Sequence, residues 1–468
     1  MTEFKYKKIV DDVIQQINDG LLKPGDKLQS QREIANQYHV NRSTVVQALD
    51  ILKSYGILDS FEKRGIFVSE NKWHVYMTSN IRWQDFIGNS ISKNNHYYIQ
   101  KINELEFDNN IIRVGTGELG PDMIPNDKFA DIVKSAGTEL STNYEEPKGN
   151  LLLRQQIVKY MKRKNVECET DNICITSGAL QALKLIADGL LVPQSKIIIE
   201  TPSYINSVRT WHNIRANIIP FKIEDIKRNI NNLFKVNSDY NNSIFYCIPT
   251  LHNPTQNTYT KSEKQKIIDQ CNVRGIPIVE DDIYADLMFD SRETMPMKSL
   301  ENSNNVLYLG SLSKTVSPGL RIGWIVADKK VIRHLSDLKM QNDYGASSIS
   351  QYIAKEWLEK YHVNHIENLN KQLESKRDEF IRCLNKYLSS FGTWKVPEGS
   401  FYIWFELDSR VNVKQLFNHA LNENILIQPG EIYDQEAANH IRFSYSYIKR
   451  DEIDSTLQKL SAIIERLI

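Results

Sequence analysis

The chain has 468 residues, too many for one ordinary domain and enough for two or three. Its 58 Lys and Arg balance 58 Asp and Glu, which excludes a bulk polycation or an acidic tail, so any nucleic-acid contact must come from a local surface. With 41% hydrophobic and 25% charged residues the composition is that of a folded globular protein with ample core.

No run approaches the roughly 18–20 apolar residues of a membrane helix, and the first dozen residues lack the apolar stretch of a signal peptide. Five scattered cysteines (Cys168, Cys174, Cys247, Cys271, Cys383) with no CxxC pair read as reduced thiols of a cytoplasmic protein. The close histidines His362 and His365 have no cysteine nearby and read as a solvated helix face, so no metal site is expected.

The first predicted helix covers residues 4–19, with Tyr6, Ile9, Val10, Val13 and Ile17 at helical spacing and Gly20 as a stop. A turn follows at Lys23-Pro24-Gly25-Asp26. Ser30-Gln31-Arg32-Glu33 has the form of a capping box, so a second short helix starts there and runs to about His39. Asn41 caps a third helix whose apolar face is Val45, Ala48, Leu49 and Leu52, ended by Gly56. Two β-like runs, Ile57–Phe61 and Ile66–Val68, close the module. Three helices and a hairpin suit a winged helix-turn-helix. Burying the third helix's stripe leaves Arg42, Ser43, Thr44 and Gln47 outward near its N-terminus, residue types that contact phosphates and base edges. Residues 20–65 hold seven Lys/Arg and five Asp/Glu, a surplus of only two. A small helical protein-interaction module is the bland alternative.

The pattern Gly20-x-x-x-Pro24-Gly25-Asp26-x-Leu28-x-Ser30-x-Arg32, then Asn41-Arg42-Ser43-Thr44-Val45 and Gly65-x-Phe67-Val68, resembles the winged helix of the GntR family. The chain departs from that family at Gln29, where Pro is usual, and at Gln31, where an acid is usual. The resemblance implies that Arg32, Arg42, Ser43 and Thr44, with the wing around Arg64 and Gly65, face a double-stranded DNA operator. Domain limits are expected at 1–70 for this α+β module and 71–105 for a linker. That linker holds Trp73, Tyr76, Trp83 and Phe86, too aromatic for a freely flexible tether.

From about residue 106 to 468, short apolar runs alternate with helical patterns: Ile173–Thr176, Lys196–Glu200, Ser243–Ile248, Ile276–Glu280, Val306–Leu309 and Gly323–Val326. The alternation predicts an α/β domain with a large, mostly parallel sheet and ligands at the strands' carboxyl ends. At those ends stand Ser177-Gly178-Ala179 before a helix, which suits a phosphate. Tyr204 follows another strand, where packing is the plainer role. Further on come Asn253-Pro254-Thr255 and Glu280-Asp281-Asp282-Ile283-Tyr284. Consecutive acids after a buried strand are costly unless paired or used. Ser311-Leu312-Ser313-Lys314 with Arg321 suits a phosphate beside an amine able to form a Schiff base; a solvated lysine is the plain alternative.

Together, Asn253-Pro254-Thr255, Asp281-x-x-Tyr284, Ser311-x-Ser313-Lys314 and Arg321 resemble fold-type I, pyridoxal 5'-phosphate (PLP)-dependent aminotransferases over some 350 residues, which implies a smaller C-terminal subdomain from about 350 to 468. The resemblance implies that Lys314 forms the Schiff base, Asp281 pairs with the pyridine nitrogen, Asn253 and Tyr284 bond the ring's 3-oxygen, and Tyr204 stacks on its face. It assigns the phosphate to Ser177, Gly178, Ala179, Ser311, Ser313 and Arg321, with Tyr144 reaching it from the partner subunit. Arg442 is similar to the arginine that receives a substrate carboxylate. Gln256 stands where this family usually has Gly.

A GntR-like winged helix joined to an aminotransferase-like domain is similar to the MocR subfamily of bacterial regulators. That resemblance implies a head-to-tail, domain-swapped homodimer acting in transcription regulation, with an amino acid, an amine or PLP itself as effector. The rival is an active aminotransferase with an appended DNA-binding domain. The Schiff-base motifs are intact, so weak transaminase activity is compatible with the sequence while regulation is expected as the main role. A rear domain serving only as a dimerisation platform predicts loss of Lys314 or Asp281, and both are present.

Overall fold

A computed structural model describes residues 5–18, 22–38, 40–54, 56–61, 64–69, 97–137, 143–208, 210–211, 214–234, 240–290 and 295–468. The chain divides into two compact units, Met1–Lys93 and Asn94–Ile468. Gly20, His39 and the expected linker's residues 71–96 lie outside the described residues.

In the first unit, helices Lys5–Asn18, Gln31–Gln37 and Arg42–Ser54 precede an antiparallel hairpin of Leu58–Phe61 and Gly65–Val68. The apolar stripes predict the packing: Ile9, Val10, Val13 and Ile17 meet Ile34 and Val45, Ala48, Leu49 and Leu52 in one core. Such a small core depends on its helix ends. Ser30 Oγ accepts from Glu33 N at 3.3 Å, and Ser30 N donates to Glu33 Oε2 at 2.7 Å, so both halves of the capping box form. The turn at Gly25 also joins the hairpin, since Gly25 N donates to Val68 O at 2.9 Å and Leu28 N to Ile66 O at 2.9 Å.

The second unit is built on a seven-stranded sheet. Its spatial order is Ile173–Thr176, Gly323–Val326, Val306–Ser311, Ile278–Asp281, Ser243–Cys247, Lys196–Thr201, Asn217–Lys222. All neighbours run parallel except Gly323–Val326, which is antiparallel to both of its partners. Both faces are covered: Ile197 and Ile199 join one apolar cluster and Ile198 another, as do Tyr246 and Phe245. The edge strand Asn217–Lys222 was not expected, because Asn217 and Pro220 interrupt its apolar run.

The strand directions decide where the site lies. Thr176, Thr201, Cys247, Asp281 and Ser311 all end at one edge of the sheet. Arg321, just before the single reversed strand, enters at that same edge. Four antiparallel strands in the order Gly392–Trp394, Tyr402–Leu407, His440–Ser444, Gln428–Pro429 form a second sheet carrying Tyr402 and Arg442. Helix Tyr97–Leu105 corrects part of the expected linker: Tyr98 and Ile102 are buried in the large core, and Tyr98 packs on Phe417 at 5.0 Å. Among the described residues no helix is long and apolar enough to cross a membrane.

Candidate functional site

In the first unit the helix Arg42–Ser54 buries its apolar stripe and leaves Arg42, Ser43 and Gln47 exposed and Thr44 half-buried. Arg42 Nε donates to Gln31 Oε1 at 3.0 Å, which holds the guanidinium against the preceding helix. Arg32 is exposed on that helix. In the wing Arg64 is exposed, its guanidinium 5.8 Å from the Phe61 ring. Gly65 takes φ 112°, and an added Cβ would stand 2.8 Å from Lys27 Cε. The positive φ is what favours glycine there, since the end of the Lys27 side chain can move aside.

In the second unit most of the expected residues converge. Asp281 is fully buried; it accepts from Tyr246 OH at 2.7 Å through Oδ2, while Oδ1 has no well-formed hydrogen bond among the described residues. Burial lifts its pKa to about 6, with Tyr246 and the charge of Lys314 pulling the other way. Asn253 Nδ2 donates to Tyr284 OH at 3.3 Å, and Tyr284 OH lies 3.2 Å from Tyr402 OH. Tyr204 N donates to Asn253 O at 3.2 Å, and burial raises the Tyr204 phenol to about 12. Lys314 Nζ donates to Gly117 O at 2.6 Å.

Around the lysine the loop is cross-tied. Ser313 N donates to Ser311 Oγ at 3.1 Å, and Ser311 Oγ donates to Ile322 O at 3.1 Å. Ser313 Oγ is buried with no hydrogen-bond partner among the described residues. Arg321, in the left-handed region at φ 54°, donates from Nη2 to Ser177 O at 2.8 Å. Gly178 caps the helix Ala179–Leu190 at φ 84°, where a Cβ would sit 2.9 Å from Arg321 Nη2. These features gather helix N–H groups, a hydroxyl and a guanidinium in one place, the donor set an anion requires.

Arg442 is only 4% exposed and lies over the Tyr402 ring at 4.0 Å. It donates from Nη1 to Asn253 Oδ1 at 2.8 Å and from Nη2 to Gly115 O at 2.7 Å, and its buried Nε has no partner among the described residues. Those two contacts engage two of the five guanidinium N–H groups, which leaves donors for a carboxylate. Tyr144 is not brought into the cluster: it is 86% exposed, against the Tyr344 ring at 5.3 Å. Gln256 keeps a left-handed φ of 61° without being glycine. Its N–H donates to His252 O at 2.6 Å, and its side-chain amide is buried without partners among the described residues.

Tyr246, Tyr402 and the Gly117 carbonyl were not anticipated. Tyr246 faces Asp281 only because Tyr246 pairs with Val279 across neighbouring strands, and Tyr402 meets Arg442 only through the second sheet. His362 corrects the expected solvated face: it is 4% exposed, with Nε2 3.3 Å from Asp286. His365 is half-buried, its Nε2 2.8 Å from Thr315 O beside Lys314.

Residues 109–460 match the aminotransferase class I and II family, and residues 5–68 match the bacterial regulatory proteins of the gntR family. The chain is 38% identical over 449 residues to the uncharacterized HTH-type transcriptional regulator YisV of Bacillus subtilis (strain 168), spanning 95% of this chain and 92% of that one. It is 32% identical over 446 residues to the HTH-type transcriptional regulator NorG of Staphylococcus aureus (strain N315), spanning 94% and 100%. Among solved structures, the Pyrococcus horikoshii kynurenine aminotransferase, in complex with PMP, superposes with TM-score 0.72 at 25% identity, covering 80% of this chain and 96% of that one. LysN, the alpha-aminoadipate aminotransferase of Thermus thermophilus, gives 0.74 at 22% identity over 82% and 98%, a likeness of fold.

A winged helix with its polar helix end exposed, followed by an aminotransferase fold, defines a DNA-binding regulator with an aminotransferase-like domain. The chain belongs to the HTH-type transcriptional regulators that join a gntR-family region to an aminotransferase class I and II domain, the layout of the MocR subfamily.

Proposed function

We propose that the protein is a PLP-dependent transcriptional regulator whose DNA affinity responds to an amino acid, an amine or PLP itself bound at Lys314. The observation that carries this reading is Asp281: a fully buried carboxylate whose Oδ1 has no well-formed hydrogen bond among the described residues, near the only lysine of the Ser311–Lys314 loop, in a chain whose front unit leaves a polar helix end exposed. An uncompensated buried acid is expensive, and a protonated ring nitrogen is a partner of the required charge.

The residues fit PLP on structural grounds. Gly178 lets the Arg321 guanidinium approach where a Cβ would crowd it, Ser313 Oγ is a buried hydroxyl without a partner among the described residues, and Arg321 stands against Ser177. Ser177, Gly178, Ala179, Ser311, Ser313 and Arg321 would hold the phosphate, with Tyr144 contributed by the partner subunit of a head-to-tail homodimer. Asn253 and Tyr284 would orient the ring from one side and Tyr204 from its face. The cofactor supplies an aldehyde that condenses reversibly with a primary amine. Lys314 would provide that amine, Asp281 would face the positive charge of a protonated ring nitrogen, and Arg442 would take the carboxylate of an amino-acid effector. Such an effector switches DNA binding only if it binds one conformation better than the other. Arg32, Arg42, Ser43, Thr44, Gln47, Arg64 and Gly65 would form the DNA face.

The test is a visible-absorption titration of the PLP-loaded protein with a panel of amino acids and amines, with keto acid and aldehyde assayed in the same tubes. A spectral shift that stalls without product supports the regulator. Sustained turnover would instead make transamination the primary role.

A further inference from the structure

Gln31 and Arg42 are the first residues of two consecutive helices, Gln31–Gln37 and Arg42–Ser54, and their side chains meet: Arg42 Nε donates to Gln31 Oε1 at 3.0 Å. An arginine has five N–H donors in a planar fork and no acceptor, so the amide oxygen is the atom that faces it. With Nε–H taken, the outer N–H groups of Nη1 and Nη2 still point together past the end of the side chain. That pair is the one that meets two phosphate oxygens or a guanine edge. Arg42 is exposed, and the bond to Gln31 is its only hydrogen bond among the described residues. Gln31 is half-buried, on a helix start fixed by the Ser30–Glu33 capping box. A capped helix, not a loop, therefore places the acceptor.

Local physics favours an acid at position 31, not an amide. A carboxylate in the first turn of a helix is stabilised by the backbone dipole, and one beside an exposed arginine gains an ion pair as well. Gln31, which departs from the acid usual in the GntR pattern, gives up both. What the amide keeps is the hydrogen bond without the charge. An acid would hold the guanidinium too, but would neutralise it and set a negative charge on the face that must meet phosphates.

We infer that Gln31 is a positioning residue for DNA recognition: it aims the Arg42 fork outward and leaves its positive charge unpaired for acceptors of the operator. The inference rests on the DNA face proposed above and adds the residue through which Arg42 is set.

The probe is a DNA duplex selected by the wild-type full chain from a random-sequence pool. Affinity is read by fluorescence anisotropy, and local stability by hydrogen exchange at the amides of residues 31–37. Gln31→Glu should keep or raise that protection yet bind the duplex at least about fivefold more weakly, the lower end of what one lost arginine contact costs. A merely structural role would move both readings the same way. Gln31→Ala should weaken binding about threefold, within what one lost hydrogen bond costs. In an Arg42→Ala background it should change nothing, because its effect runs through that side chain.

Wild-type affinity in Gln31→Glu overturns the inference. Additive losses in Gln31→Ala and Arg42→Ala overturn it too, since Gln31 would then be an independent DNA contact. If Arg42→Ala itself leaves affinity unchanged, the proposed DNA face fails and this inference with it. If Arg42→Ala weakens binding while neither Gln31 variant does, this inference alone fails.

Discussion

The two units use polar residues in opposite ways. In the front unit Arg32, Arg42, Ser43 and Arg64 lie on the surface, each with at most a light tether such as the Arg42–Gln31 hydrogen bond. In the rear unit Asp281, Asn253, Tyr284, Tyr402 and Arg442 are buried; all but Asp281, which is tied to Tyr246, interlock through shared partners. Surface contacts far apart should add, whereas an interlocked buried cluster should respond as a unit. Binding energy in the front unit can therefore be trimmed by degrees, whereas in the rear unit one change should remove a function.

The largest expected effect is at Lys314. Lys314→Ala should abolish the visible band of PLP-loaded protein while leaving the far-ultraviolet circular dichroism and basal DNA binding in place. Loss of folding in this variant would show that the lysine is structural, and the contrast between the units would fail there.

Next comes Asp281. Its folded pKa is raised to about 6 from an ordinary value near 3.8, so between those values the folded state holds a proton that the unfolded chain has lost. Stability from this group is therefore greatest below about pH 4, falls as pH rises to about 6, and is flat above. The two-unit difference corresponds to about 3 kcal/mol. Without cofactor, denaturant melts of wild type and Asp281→Asn should converge or cross by roughly that amount across this window. A pH-independent difference would mean that Asp281 is ionised throughout. Loading with PLP should remove the effect, because a ring cation stabilises the carboxylate.

How much of this was readable from residue order differs between the units for the same reason that their polar residues differ. The front module is set by neighbours in sequence: the stripe Val45, Ala48, Leu49, Leu52 and the Ser30–Glu33 box are local patterns, and their burial and capping follow from them. In the rear unit the loops after strands could be read one by one, but partners joined across the fold could not. Tyr246 reaches Asp281 from 35 residues away and Arg442 reaches Asn253 from 189. His362 looked solvated because its burial depends on Asp286 and Tyr160, which no helical period reveals. The whole antiparallel sheet carrying Arg442 was foreseen only as a smaller subdomain.

A smaller effect is expected on the DNA face. Arg42→Ala should weaken operator binding by about 1–3 kcal/mol if it reads a base edge, and should reduce the salt dependence by about one ion if it meets a phosphate. Affinity measured at several salt concentrations separates these outcomes. An unchanged affinity and slope would place the DNA against another surface. Arg64→Ala, more distant on the wing, should add its own loss to that of Arg42→Ala rather than duplicate it.

The smallest effect is at Ser30. Removing its hydroxyl takes the cap from the seven-residue helix Gln31–Gln37 and leaves Glu33 N without its side-chain acceptor. Ser30→Ala should cost about 1 kcal/mol, within the range typical of lost caps. Glu33 Oε2 still accepts from the backbone N–H of residue 30, so half of the box survives and the loss should fall toward the lower end. Hydrogen exchange on the full chain can resolve it: amides of residues 31–37 should exchange about fivefold faster, the factor that about 1 kcal/mol implies, while those of Ile197–Ile199 in the rear sheet keep their protection. If protection fell in both, the two units would be unfolding together, and the independence on which their contrast rests would be lost.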